Sequence, residues 1–185
     1  DVPGFRPSRS TKPPPVFVGG AGPRSVAVAV EVADGLQGHL MWSAPYLRET
    51  VNPLLGGLPS TFPVTWARLA APSAVPGWEL DAAQRLAHYA VTPSYQSVLA
   101  AAGLQIDRDR VVHLLRSNDH DRLVDEVGGL IDAFCISDAA SLRAALAEAE
   151  SCGVSGVIMF VPAGPGIGER TTQYEAALID LIAER

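Results

Sequence analysis

The segment that most constrains this chain is Val16-Phe17-Val18 running directly into Gly19-Gly20-Ala21-Gly22-Pro23. Consecutive apolar residues fit a strand buried on both faces, because a half-exposed strand alternates apolar with polar. From Arg24 to Ala33 the period becomes helical, with Val26, Ala29, Val30 and Ala33 on one stripe. Asp34-Gly35 ends that helix, and a second strand is expected over Leu36–Leu40. A strand, a glycine-rich turn, a short helix and a strand make a βαβ unit, whose two strands run parallel.

The rhythm continues. Ala44-Pro45 opens a helix reaching Leu54-Leu55, Gly56-Gly57 stops it, and Val64–Leu69 reads as a third strand closed by Pro72. Residues 73–137 then read as a helical insertion rather than a separate domain. Asp81 is its expected first N-cap, with one helix to Tyr89 and a second over Tyr95–Ala102 that ends at Gly103. A third helical stretch surrounds Leu123–Leu130, followed by an apolar segment at Ile131–Ile136. Ser137 or Asp138 caps the next helix, which ends at Cys152-Gly153. Val157–Val161 is the strongest buried-strand signal, followed by the loop Pro162–Gly166 and a terminal helix. Four strands are expected, each leading into a helix.

Only 18% of the residues are charged, against about 25% in an ordinary soluble domain. That leaves too little charge to cover a compact monomer, so some apolar surface is expected to lie against something else. Net charge −6 argues against nucleic acid, since no basic patch exists to displace counterions from phosphates. No apolar run approaches the ~20 residues of a membrane span. Cys135 and Cys152 form neither a metal spacing nor a disulfide framework, as expected of reduced thiols in a cytoplasmic protein. No metal site is expected.

The best chemical candidate is the loop Gly19, Gly20, Ala21 and Gly22. Glycines after a buried parallel strand let main chain approach a ligand, and the following helix presents free N–H groups that suit an anion such as a phosphate. The alternatives are a tight turn without ligand and a dinucleotide fingerprint. For the latter, Gly20-Ala21-Gly22-Pro23-Arg24-Ser25 carries Ser at the third glycine and lacks the acidic residue expected ~20 positions on. His39 ends the second strand, where it faces bound ligand if the strands belong to a barrel, or acts as a structural hydrogen-bonder. Trp42 and Tyr46 follow, as walls of a ring-shaped ligand pocket or as packing. Asn118-Asp119-His120-Asp121 reads as a helix start with surface charges, and His88 and Tyr89 as packing.

The ordered set of segments resembles the bacterial luciferase-like monooxygenase superfamily. It comprises Pro14 to Pro23, Val32-Ala33-Asp34-Gly35, Tyr46-Leu47 with Val51-Asn52-Pro53, Arg85 to Tyr89 with Tyr95, and Ala149 to Val157, spanning residues 10–185. The resemblance implies an α/β (β/α)8 TIM barrel, of which this chain supplies about the last four βα units plus the insertion. It implies FMN or the deazaflavin coenzyme F-420, the alanine- and arginine-rich composition pointing to the latter. It also implies that Gly19, Gly20, Ala21 and Gly22 form the cofactor-phosphate loop, with His39 at a strand-end position for cofactor or substrate contacts. Where some members carry a cation just after that strand, Met41, Trp42 and Ser43 stand here, which argues against a phosphorylated substrate.

Such a barrel takes about 250 residues and eight strands. A four-stranded piece leaves two open margins, which are costly exposures. The expectation is therefore a flavin- or deazaflavin-dependent oxidoreductase or monooxygenase acting by hydride transfer on a small organic substrate. Its missing N-terminal half would lie in a longer polypeptide or a partner chain, with homo-oligomers common in such families. The alternatives are a non-catalytic half-barrel that dimerises as a binding or scaffold module, and a nicotinamide-binding Rossmann domain.

Overall fold

The computed structural model describes residues 13–59, 61–162 and 168–183. The lead-in before residue 13 and the loop after Pro162 lie outside the described residues. Strand β1 (Phe17–Gly20) leads to α1 (Pro23–Val32), and β2 (Gly35–Gly38) to α2 (Ala44–Tyr46). From α2 a π-helical turn at Leu47–Val51 runs into α3 (Asn52–Leu55). That turn has a local cause. Pro53 has no N–H to continue the helical ladder, and the Asn52 amide reaches the Leu47 carbonyl instead.

Strand β3 (Val64–Ala70) precedes the insertion. The insertion contains α4 (Trp78–Ala90), a 3-10 turn at Pro93–Tyr95, α5 (Gln96–Ala101), α6 (Arg108–Ser117) and α7 (His120–Phe134). After it come β4 (Cys135–Ile136), α8 (Ala139–Ser151), β5 (Gly156–Phe160) and α9 (Gly168–Ala183). Two features differ from the sequence expectation. Residues 135–136 form a fifth strand instead of ending the insertion, because the Cys135 and Ile136 backbone pairs with Leu69 and Ala70. Residues 108–117 form a helix that the sequence did not announce.

All strand pairs are parallel. β3 pairs with β2 at Val64–Trp66, with β4 at Leu69–Ala70 and with β5 at Thr65–Leu69. Since Thr65 and Trp66 serve both β2 and β5, and Leu69 serves both β4 and β5, β5 occupies the edge of β3 opposite the other two. The long strands therefore lie in the order β1-β2-β3-β5, with β4 tucked beyond the end of β2.

Registered partners point the same way. One face carries Leu36, Val64, Trp66, Arg68 and Ala70, and it is covered by α1, α8 and α9. Helices on one face and strands in chain order match a singly wound barrel rather than a doubly wound Rossmann sheet. The other face carries Gly19, Gln37, Thr65, Ala67, Leu69, Ile158 and Phe160. Of these residues only Ala67 and Leu69, in its upper part, are buried.

The two margins remain apolar. Phe17 on β1 is 44% exposed and Phe160 on β5 is 43% exposed, with Val16, Val28 and Val32 beside the first margin and Ile179 and Ile182 exposed on α9. β5, read from the sequence as the most buried strand, is only half-buried because nothing pairs with its outer edge among the described residues.

Asp81 is not the N-cap of α4. The helix begins one turn earlier behind Gly77, whose φ of +80° suits a residue without a side chain. Asp81 is instead buried, accepting 2.8 Å from the Tyr174 hydroxyl and 2.9 Å from Arg170 Nη2, both on α9. Burial, and then the hydrogen bond to Asp81, hold the Tyr174 phenol above its ordinary range. This cluster fastens the insertion to the last helix. Arg68 does similar work lower down, donating 3.1 Å to the Ala133 carbonyl, 3.8 Å from Glu148 and 4.9 Å over the Trp66 ring.

Tyr174→Phe removes a bond to a buried carboxylate and should lower stability by about 1.5–3 kcal/mol. Urea unfolding of the full-length protein measures it. A change below about 0.5 kcal/mol would mean that the cluster does not fasten α9.

Candidate functional site

Parallel strands deliver their C-terminal ends to one side, so the loops after Gly20, Gly38 and Ala70 share a rim with the end of β5. Strand ends of this kind are where ligands bind in α/β folds. Gly38 is the pivot. A Cβ there would overlap the six-membered ring of Trp42 and come within 2.9 Å of the Thr65 carbonyl oxygen. With only hydrogen at that position, Trp42 lies across β2, fully buried, and its Nε1–H donates 2.9 Å to the Ala21 carbonyl. The Tyr46 hydroxyl donates to the same oxygen at 3.2 Å.

Trp42, read from the sequence as a candidate pocket wall, is therefore an internal brace. It is fully buried, and its polar edge is spent on the Ala21 carbonyl.

The glycine loop is held from its other side by Ser25, the residue standing at the third-glycine position. Its Oγ accepts from the Ala21 and Gly22 amides at 3.1 and 3.2 Å and donates 2.8 Å to the Gly22 carbonyl. Two of the amides that the sequence offers to an anion are thus engaged within the protein. What remains open is nearby. Positions where a Cβ would stand on Gly19 and Gly22 have no atom within 4 Å. The Arg24 and Ser25 amides, in the first turn of α1, have no carbonyl one helical turn back. The exposed Arg24 guanidinium has no ion-pair partner among the described residues.

His39 stands on the same rim in a cage of rings, with Tyr95 at 4.6 Å and Tyr89 edge-on at 4.9 Å between centroids. The Met41 amide donates to Nδ1 at 3.2 Å. The ring proton therefore sits on Nε2, which donates 3.1 Å to the Tyr95 hydroxyl oxygen. Tyr95 keeps its own proton to donate elsewhere. Burial pushes the His39 pKa down from 6.5 to about 4, so the imidazole is neutral near pH 7.

Over the upper part of the open sheet face, α4 encloses a cavity of about 140 Å³ lined by Gln37, His39, Leu69, Arg85, Tyr89 and Phe160, among others. A larger groove of about 500 Å³ lies near Ser43, Arg68, Ser141 and Glu148. It is the less apt site, because its guanidinium is already held by Ala133 and Glu148.

The structure thus brings the glycine loop and His39 onto one rim and joins them through Trp42. Three participants, Tyr95, Arg85 and Tyr89, were not assigned to a site from the sequence. Tyr95 lies 56 positions from His39, beyond any local spacing. Arg85 and Tyr89, four residues apart on one helix face, did carry a legible signal.

No family model and no curated protein sequence matches this chain. Solved structures do. A coenzyme F-420-dependent tetrahydromethanopterin reductase from Methanopyrus kandleri aligns over 88% of this chain and 48% of its own, with TM-score 0.61 and 18% identity. An F-420-dependent secondary alcohol dehydrogenase, in complex with an F-420–acetone adduct, aligns over 85% of this chain and 46% of its own, with TM-score 0.50 and 15% identity. Both have the luciferase-like TIM-barrel fold that the sequence resembles. The chain spans about half the length of these structures. No described helix is long and apolar enough to cross a membrane.

Two outcomes are expected. Gly38→Ala should displace Trp42, costing about 1–3 kcal/mol by overpacking and red-shifting the indole emission. Between pH 6.5 and 4 the unfolded His39 takes up a proton that the folded one resists. Its contribution to stability is thus intact above 6.5 and is lost as the pH falls through this window, by about 3 kcal/mol at the limit. His39→Gln should flatten that part of the stability–pH curve, measured by urea unfolding at pH 7 and 4.5. An unchanged curve would refute the neutral buried imidazole.

Proposed function

We propose that this chain forms half of the barrel of a coenzyme F-420-dependent oxidoreductase, with the rim at Gly19–Ser25 receiving the cofactor phosphate. The observation that carries the proposal is the position of an open glycine loop at the C-terminal end of a parallel sheet with the fold of two F-420-dependent enzymes. The fit is specific in its donors. The Arg24 and Ser25 amides, the Arg24 side chain and the open main chain at Gly19 and Gly22 would hold the phosphate. Trp42, Tyr46 and Ser25 keep that main chain in place beforehand.

When bound, a deazaflavin supplies hydride exchange with an organic substrate. The chain's residues orient the cofactor, and His39, with its Nε2 proton directed at Tyr95, holds the Tyr95 hydroxyl as a donor at the rim. Both apolar margins support a further set of strands closing the ring. That set would come from the same polypeptide, since the structures of this fold are about twice as long as the described chain. FMN is the alternative cofactor of the same loop. Its oxygen-activating chemistry, a monooxygenase activity and a cytoplasmic location are expectations from the sequence alone.

Titrating F-420 into the full-length protein should give a saturable fluorescence change, with FMN giving none. Arg24→Glu should weaken F-420 binding at least tenfold, about 1.4 kcal/mol, with the circular dichroism spectrum unchanged. Saturable binding of FMN alone would move the assignment to the flavin. Binding of neither, by a particle closed through self-association, would replace the proposal with a dimerising scaffold.

A further inference from the structure

The cavity beneath α4 contains an unusual electrostatic arrangement. Arg85 lines it and has neither a hydrogen bond nor an ion pair among the described residues. The nearest acid on its own helix, Asp81, is committed to Arg170 and Tyr174. No Asp or Glu lines the cavity. The Gln37 amide and the Tyr89 hydroxyl, also in the wall, are likewise without hydrogen-bond partners among the described residues. Apart from His39, the remaining lining is apolar: Leu40, Ala67, Leu69 and Phe160.

We infer that this cavity binds the carboxylate of a small organic acid, with Arg85 as its charge partner and Leu69 and Phe160 against its hydrocarbon part. The inference rests on the oxidoreductase reading and narrows its substrate class. A partly enclosed guanidinium without a counter-charge is completed by an anion, and its planar fork matches a carboxylate in two hydrogen bonds. The Gln37 amide and the Tyr89 hydroxyl add neutral donors.

His39 does not add a second cation, because both its ring nitrogens are engaged and burial keeps it neutral. A single fixed charge suits a carboxylate monoanion better than a phosphate dianion. The size agrees: a volume of about 140 Å³ is close to that of an apolar cavity that holds benzene. The loop after β2 offers Met41, Trp42 and Ser43 and no cation. The insertion supplies the positive charge from above instead.

The test is calorimetric titration of the full-length protein with butanoate, with its neutral isostere butanamide and with inorganic phosphate, each with and without saturating F-420. The expected result is at least a tenfold preference for butanoate over both others, retained when F-420 is bound. Arg85→Gln should abolish the preference and leave F-420 affinity unchanged, and Arg85→Lys should restore part of it. Equal binding of butanoate and butanamide, or a preference that survives Arg85→Gln, would overturn the inference. Displacement of butanoate by F-420 would overturn it too, assigning the carboxylate site to the cofactor. Butanoate selectivity without any F-420 binding would sink the oxidoreductase reading and leave the anion site standing.

Discussion

The rim depends on an indole lying across a strand. Because residue 38 has no side chain, Trp42 can cross β2 and place its N–H on the Ala21 carbonyl. Tyr46 reaches the same oxygen, and Ser25 secures the adjoining amides from the opposite side. Three side chains from three segments therefore fix a glycine-rich stretch that would otherwise have wide conformational freedom. A loop ordered in this way gives up little entropy when a ligand arrives. The glycines supply access, and their neighbours supply rigidity.

A second constraint is the parallel sheet itself. Parallel strands are normally covered on both faces, yet here the helices cover one face and the insertion only part of the other. Apolar side chains at both outer strands fit the low charge content of the whole chain. The same excess that marks the composition is thus located, at the edges where the ring would continue. Its placement explains why β5 combines a strongly apolar sequence with a half-exposed environment.

Much of this was legible beforehand, and the failures have physical causes. β1 and β5 announce themselves by apolar runs ended by glycine or proline, β3 by alternation closed by Pro72 and β2 by its place after Asp34-Gly35, and the caps at Gly103 and Asp138 fall where expected. β4 is two residues long and follows α7 directly, so no period could separate them. α6 is dense in arginine and buries only Val111 and Leu114, which leaves a faint stripe. Asp81 has the residue type of a helix cap and is drawn inside by partners 89 and 93 positions away. The glycine loop was recognisable from its neighbours in sequence. Its hydrogen-bond partners at Trp42 and Tyr46, 21 and 25 residues on, were not.

The Asp81 cluster bears on the order in which the molecule can be completed during synthesis. Its carboxylate acquires its two donors only when α9 has left the ribosome, some ninety residues after α4 itself. Until then, seating α4 would bury a negative charge with nothing to neutralise it, an unfavourable state. The nascent chain is thus discouraged from locking the insertion in place early. α9 acts as a checkpoint, and the sheet stays pliable until that helix is available to secure it.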